Sequence, residues 1–191
     1  SGMKNVVASS GTALTDGQIA LIHRFTDNIT LIYDGDAAGV KASLRGIDML
    51  LSHKMNVKTL RLPPEDDPDS FARKNTPEEF RAYVAEHETD IIRYKAQVML
   101  AEMKNDPQQR IAAINSVVES IAHIPDVVSR DVYIRECASL LGISEEAIAK
   151  AVAKAVAEVV EKRRRERMRR EFTEATQPTP VSAPGTNVAD A

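Results

Sequence analysis

The chain has 191 residues, enough for one domain of ordinary size or one with a small annexe. Its composition, 43% hydrophobic but only 4% aromatic with no Trp, leans toward helix, and one cysteine, Cys137, excludes an internal disulfide framework and fits a reducing compartment. A net charge of -3 excludes bulk attraction to nucleic acid, leaving local patches, and no stretch has the length of a membrane span or the pattern of a signal peptide, so a cytoplasmic location is expected.

In chain order, Val6-Val7-Ala8-Ser9 predicts a short strand, followed by a Ser10-Gly11-Thr12 turn. Thr15 and Gln18 have the spacing of a capping box, and Ile19, Ile22 and Phe25 carry a helix to about Thr26. The run Ile29-Thr30-Leu31-Ile32-Tyr33 is β-branched and aromatic, as in a strand buried on both faces, and ends in Asp34-Gly35-Asp36. From about Ala37 the spacing of Val40, Leu44, Ile47, Leu50 and Leu51 predicts a second helix, ending near residues 52–54. Val57 to Leu62 predicts a third strand, stopped by Pro63-Pro64. The order β-α-β-α-β calls for parallel strands joined by right-handed crossovers.

Open α/β sheets bind ligands at the carboxyl ends of their strands. Asp34 and Asp36 stand there two residues apart, on one side of the chain if it stays extended, and Gly35 lets the backbone turn and a ligand approach. A second acidic run, Glu65-Asp66-Asp67-Pro68-Asp69-Ser70, follows the third strand, with Pro68 keeping Asp67 out of the helical region. Turn chemistry alone would account for either run, and Asp69 or Ser70 would cap a short helix from Phe71 to Lys74. Two carboxylate pairs on one rim, however, repel unless a cation lies among them. Hard oxygen ligands of this kind suit Mg²⁺, completed by water and phosphate.

The ordered set strand-DGDxAG-helix, then strand-LP-EDDPDS, resembles the Toprim domain of the bacterial replicative DNA primases, and Val7 to Thr12 resembles that family's A-S-x-G-T turn. The likeness is specific from about Lys4 to Lys74 and continues afterwards in helix length and placement. It implies a partial, Rossmann-like Toprim domain over residues 1–75, a helical subdomain over 76–171 and a disordered linker over 172–191. It also implies catalytic roles for Asp34 and Asp36, metal binding by Asp34, Asp36, Asp67 and Asp69, and nucleotide contacts at Ser10, Gly11, Thr12 and Gly35. The cofactor implied is Mg²⁺, with Mn²⁺ able to replace it, while zinc belongs to an N-terminal domain of the parent. The parent's partners would be a single-stranded DNA template, ribonucleoside triphosphates and, through a C-terminal domain expected to lie outside this chain, the replicative helicase. Toprim domains open on a strand ending in glutamate, and that strand is expected to be missing here. The fragment is therefore expected to be inactive alone and prone to self-association through an open sheet edge.

Beyond the sheet, Thr76-Pro77-Glu78-Glu79 starts a helix running to about Glu86. Asp90 begins another, with Ile91, Lys95, Val98 and Met99 on one face, and it stops by Asp106-Pro107. Ile111, Ile114, Val118 and Ile121 line the next, and Val128, Val132, Tyr133, Cys137, Leu140 and Leu141 the one after, which ends at Gly142. Ser144 caps a last helix that runs into a basic stretch, Lys162 to Arg170, readable as a solvated helix end or as a contact for nucleic-acid phosphate. From Thr173 the Pro, Thr, Ser, Ala and Gly content predicts disorder. Two other readings fit parts of the pattern. A haloacid-dehalogenase-like phosphotransferase would use the first Asp as nucleophile but wants Thr or Val shortly after the second, where Ala37-Ala38-Gly39 stands. A non-catalytic Toprim or helical interaction module would need only the scaffold.

Overall fold

The computed structural model describes residues 5–8, 14–33, 44, 46–102 and 106–175. Within these, three strands and eight helices follow one another: α1 (Asp16–His23), β1 (Asn28–Tyr33), α2 (Ile47–Ser52), β2 (Asn56–Arg61), α3 (Pro68–Lys74), α4 (Pro77–His87), β3 (Thr89–Asp90), α5 (Ile91–Glu102), α6 (Pro107–Ala122), α7 (Val127–Leu141) and α8 (Glu145–Ala175).

β1 and β2 are parallel and in register from Asn28 opposite Asn56 to Tyr33 opposite Arg61. The expected α/β plan and its parallel pair are therefore present. Val6 to Ala8, expected as strand, lie in no sheet, and Ser9 to Thr12 fall outside the described residues. The third strand comes instead from beyond the sheet region: Thr89 and Asp90 pair antiparallel with Thr59 and Lys58. Two residues give too short a pattern to show alternation, which is why periodicity cannot find such a strand.

The helix expected from Ala37 does not run unbroken to Ser52. Leu44 lies in a turn and Gly46 has φ +77°, a left-handed backbone angle that glycine adopts without strain, and α2 starts only at Ile47. α3 begins at Pro68, three residues before the expected start, because Asp67 rather than Asp69 or Ser70 is its N-cap. α8 continues to Ala175, past the expected onset of disorder at Thr173.

Local capping follows the sequence closely. Thr15 and Gln18 exchange hydrogen bonds of 2.9 and 3.3 Å at the start of α1, and Thr76 and Glu79 do so at 2.7 and 3.2 Å at the start of α4. At the other end of α7, Gly142 with φ +64° makes the left-handed C-terminal turn, letting the Ile143 amide donate to the Ala138 carbonyl.

One hydrophobic core joins sheet and helices, including Ile19, Ile47, Leu50, Val57, Ile91, Val117, Ile121, Cys137, Leu141 and Ile148. A smaller cluster of Leu60, Leu62, Phe71 and Phe80 holds α3 and α4 near the end of β2, with Phe71 edge-on to Phe80 at 5.4 Å. Four residues expected on apolar faces are instead exposed: Phe25, which lies past the end of α1 at His23, Ile111 on α6, and Val128 and Val132 on α7. The buried stripe of α7 is Ile134, Cys137, Ala138 and Leu141. Cys137 is a packed thiol whose pKa burial pushes up to about 12, as its place among apolar neighbours requires. Among the described residues no helix is long and apolar enough to cross a membrane.

Candidate functional site

The parallel register brings the carboxyl ends of β1 and β2 to one edge of the sheet. Tyr33 and Arg61 are the last paired residues there, and the next residues in the chain are Asp34 after β1 and Leu62 after β2. Asp34, Gly35 and Asp36, like Ser10, Gly11 and Thr12, lie outside the described residues. The second acidic run is described in full.

Pro63 and Pro64 end β2 because proline cannot extend the ladder. The chain then turns sharply, the Asp66 amide donating to the Pro63 carbonyl at 3.0 Å. Asp67 has an extended backbone, φ −99° and ψ 169°, as expected of a residue before proline. Its Oδ1 accepts both the Asp69 and the Ser70 amides at 2.8 Å, while Ser70 Oγ accepts the Asp67 amide at 3.0 Å. This reciprocal box fixes the direction in which the Asp67 carboxylate leaves the loop. Asp69 lies in the first turn of α3, not in an extended pair with Asp67, and forms an exposed ion pair of 2.8 Å with Arg73. Both carboxylates are exposed, as is Glu65.

Sequence reasoning missed the residue that holds the loop together. Asp66 is buried, accepts the Ser70 hydroxyl at 3.0 Å and is ion-paired with Lys74. The hydrogen bond and charge of Lys74 hold its carboxyl below the ordinary value and raise the Lys74 ammonium in return. Ser70 and Lys74 stand four and eight residues after Asp66, one face of a helix starting at Pro68, so the signal was readable once that start is known. Tyr83 on α4 closes the same corner, donating its hydroxyl to the Arg61 carbonyl at 3.2 Å. Burial and the nearby charges of Asp66 and Glu65 push its pKa up.

The donor set fits a hard divalent cation in part. Asp67 and Asp69 offer exposed carboxylate oxygens on the loop and first helical turn that follow β2, and Mg²⁺ needs only one or two carboxylates besides water and phosphate. Among the described residues no group of three or more His, Cys, Asp or Glu could hold a metal. Any complete site on this rim would therefore need residues beyond the described part of the acidic run.

Residues 1–72 match the family described as Toprim-like, and residues 99–146 match the family described as the DnaB-helicase binding domain of primase. The DNA primase of Clostridium acetobutylicum is 38% identical over 148 residues, covering 77% of this chain and 24% of that protein. A crystal structure of a DNA primase domain from Pseudomonas aeruginosa superposes with a TM-score of 0.68 at 26% identity, over 80% of this chain and 49% of that one. A DnaG primase catalytic domain bound to ssDNA superposes with a TM-score of 0.61 at 25% identity, over 72% and 44%. A parallel strand pair with an acidic run after β2 and a helical part packed beside it is thus a Toprim-like scaffold. The chain is similar to a segment of the bacterial DNA primases, and the solved structures it superposes on are primase domains and catalytic cores. It spans about a quarter of the length of the curated relatives it matches. The helicase-binding match falls on α6, α7 and their flanks, inside the chain, whereas the sequence reading placed helicase contact in a further domain.

Proposed function

We propose that this chain supplies the metal- and triphosphate-binding part of a DNA primase that joins ribonucleotides on a single-stranded DNA template. The observation that carries the reading is the parallel register of β1 and β2, whose last pair is Tyr33 opposite Arg61, the residues that precede Asp34 and Leu62 in the chain. Asp34, Asp36, Asp67 and Asp69 would hold Mg²⁺, or Mn²⁺ in its place, with Ser10, Gly11, Thr12 and Gly35 lining the nucleotide. When bound, the metal would neutralise triphosphate charge and stabilise the attacking and leaving oxygens. The described residues do the positioning. Asp67 is fixed by its own cap, Asp69 must exchange its weak pairing with Arg73 for the cation, and Asp66 with Lys74 and Ser70 keeps the loop rigid. The whole activity needs the rest of the parent, so the 191 residues alone are proposed to make no primers. The domain division at residues 75/76 and 171/172 is kept as part of this proposal, as is a cytoplasmic site of action.

Helicase contact is proposed to involve this chain itself. The match over residues 99–146 supports it, and within that segment Val127, Val128 and Val132 present an exposed apolar strip on α7.

The test of the metal reading is titration of Mn²⁺ into the labelled chain while amide signals are observed. Broadening is expected first around Gly35 and at Asp67 and Asp69. Asp67→Asn keeps an N-cap of equal quality but removes the charge, so it should weaken the broadening without lowering Tm. Broadening centred on the helices, or unchanged in Asp67→Asn, would overturn the assignment. Primer synthesis compared between this chain and the full-length parent tests the activity, and equal rates would overturn the catalytic inventory.

A further inference from the structure

Helix α8 has two unlike halves. In its first half Ile148 and Val152 are buried, and Ala149, Ala151, Ala155 and Val156 pack on the core. Beyond Glu161 residues 162–169 are all exposed, with Arg163 still donating to Ser52. Between Glu161 and Glu171 seven Lys or Arg face three Glu, a local charge of +4 on a chain whose net charge is -3. The helix persists here through its own pairs, Arg165 with Glu161 at 2.9 Å and Arg167 with Glu171 at 2.8 Å, the i,i+4 arrangement that supports exposed helices. Arg164, Arg165 and Arg167 remain 72–82% exposed, so these pairs can open to a stronger anion at little cost.

We propose that the distal half of α8, Lys162 to Phe172, is a contact for the phosphate backbone of single-stranded nucleic acid, separate from the metal rim. Three observations favour this occupant. The charge is complementary to a polyanion and concentrated where the fold leaves the helix bare. Lys162, Arg163, Arg164 and Arg165 are consecutive, so at about 100° per residue they surround the helix, and Met168 with Phe172 makes only a one-turn apolar patch, not the long face that lies in a lipid surface. Phe172, 72% exposed, stands at the end of the basic run where a base could stack on its ring.

The fold also fixes where this contact lies. Arg163 donates to Ser52 Oγ at the C-terminal end of α2, the element that leads into the start of β2. The acidic rim follows the other end of that strand. A six-residue strand at about 3.3 Å per residue separates the two levels. A strand held by α8 would therefore be gripped well away from the metal, as a tether and not as substrate in the site.

Fluorescence anisotropy of a labelled oligo(dT) of about 20 nucleotides, titrated with the 191-residue chain from about 50 to 200 mM salt, tests this. Engagement of three to four phosphates predicts a log–log salt slope of about −2 to −3. The triple variant Arg164→Glu, Arg165→Glu, Arg167→Glu should lower affinity at least about tenfold and flatten that slope by about 2. Should circular dichroism show lost helix in that variant, the Gln triple, which keeps helix propensity, takes its place. The triple variant should leave the Mn²⁺ broadening at Asp67 and Asp69 unchanged, which separates failure of this contact from failure of the metal site. Equal binding by wild type and triple variant, absence of a salt slope, or binding to phosphatidylserine vesicles without binding to oligo(dT) would each overturn the proposal.

Discussion

Ser120 donates its hydroxyl to Asp48 Oδ1 at 2.6 Å while accepting from Lys95 Nζ at 2.7 Å, so one fully buried hydroxyl joins α2, α5 and α6. Asp48 sits in the first turn of α2, a little beyond the acidic segment that follows β1. This chain of bonds is a buried polar link between the sheet region and the helices, beside the bond from the Tyr133 hydroxyl to Asp90 at 2.7 Å.

Ser120→Ala should therefore cost about 1–3 kcal/mol, since it strips a buried ammonium of its acceptor. Lys95→Met should cost little, because Ser120 still satisfies Asp48 and the methionine fills the stem's volume. In chemical denaturation the double variant should recover the part of the Ser120→Ala loss that comes from the stranded ammonium, leaving the part that comes from Asp48 losing its donor. Costs that simply add would show that the network has no coupling.

Burial lowers the pKa of Lys95 from its ordinary value of 10.5, with Asp48 and Glu119 opposing that shift. Between the lowered folded value and 10.5 the unfolded chain binds more protons, so the contribution of Lys95 to stability rises with pH. Urea unfolding at several alkaline pH values should show wild type gaining on Lys95→Met as pH approaches 10.5. A difference that stays flat would mean the ammonium is not desolvated.

Asp66 has the same slope with pH, but here the fold favours the charged form, whereas it disfavours the charged form of Lys95. Its carboxyl is held below 3.8 by Lys74 and Ser70, so its stabilisation is present above 3.8 and is lost as pH falls through the folded value. Asp66→Asn should lower Tm at neutral pH, and the gap to wild type should close in strong acid. A Tm gap independent of acid would point to packing rather than charge.

Thr76→Ala removes the hydroxyl that accepts the Glu79 amide at 3.2 Å and donates to the Glu79 carboxylate at 2.8 Å. A loss of about 1 kcal/mol is expected by denaturant titration, against only a few tenths for Thr76→Gly.

Val128 and Val132 are 71% and 56% exposed on α7, so Val128→Asp with Val132→Asp should leave Tm within a degree or two of wild type. If α7 meets a helicase, pull-down of purified replicative helicase by this chain should drop severalfold. Retention of binding would move the contact elsewhere.

Short-range chemistry was legible in the residues. Thr15 with Gln18, Thr76 with Glu79 and Gly142 mark helix ends because their bonds lie within four residues, and Ile29 to Tyr33 marks a strand through β-branched composition. The acidic character of the rim was legible too, as was the proline that holds Asp67 extended. What tertiary structure alone decided depends on partners distant in the chain. Thr89 and Asp90 become a strand only because β2 offers a free edge, and Val128 and Val132 are left bare because α7 turns Ile134 and Leu141 inward. Lys95 reads as the polar edge of a helix until Ser120 and Asp48, 25 and 47 positions away, meet it in the core. Sequence spacing reports which face a helix or strand can bury, whereas the choice among competing faces is made by the surfaces that pack against it.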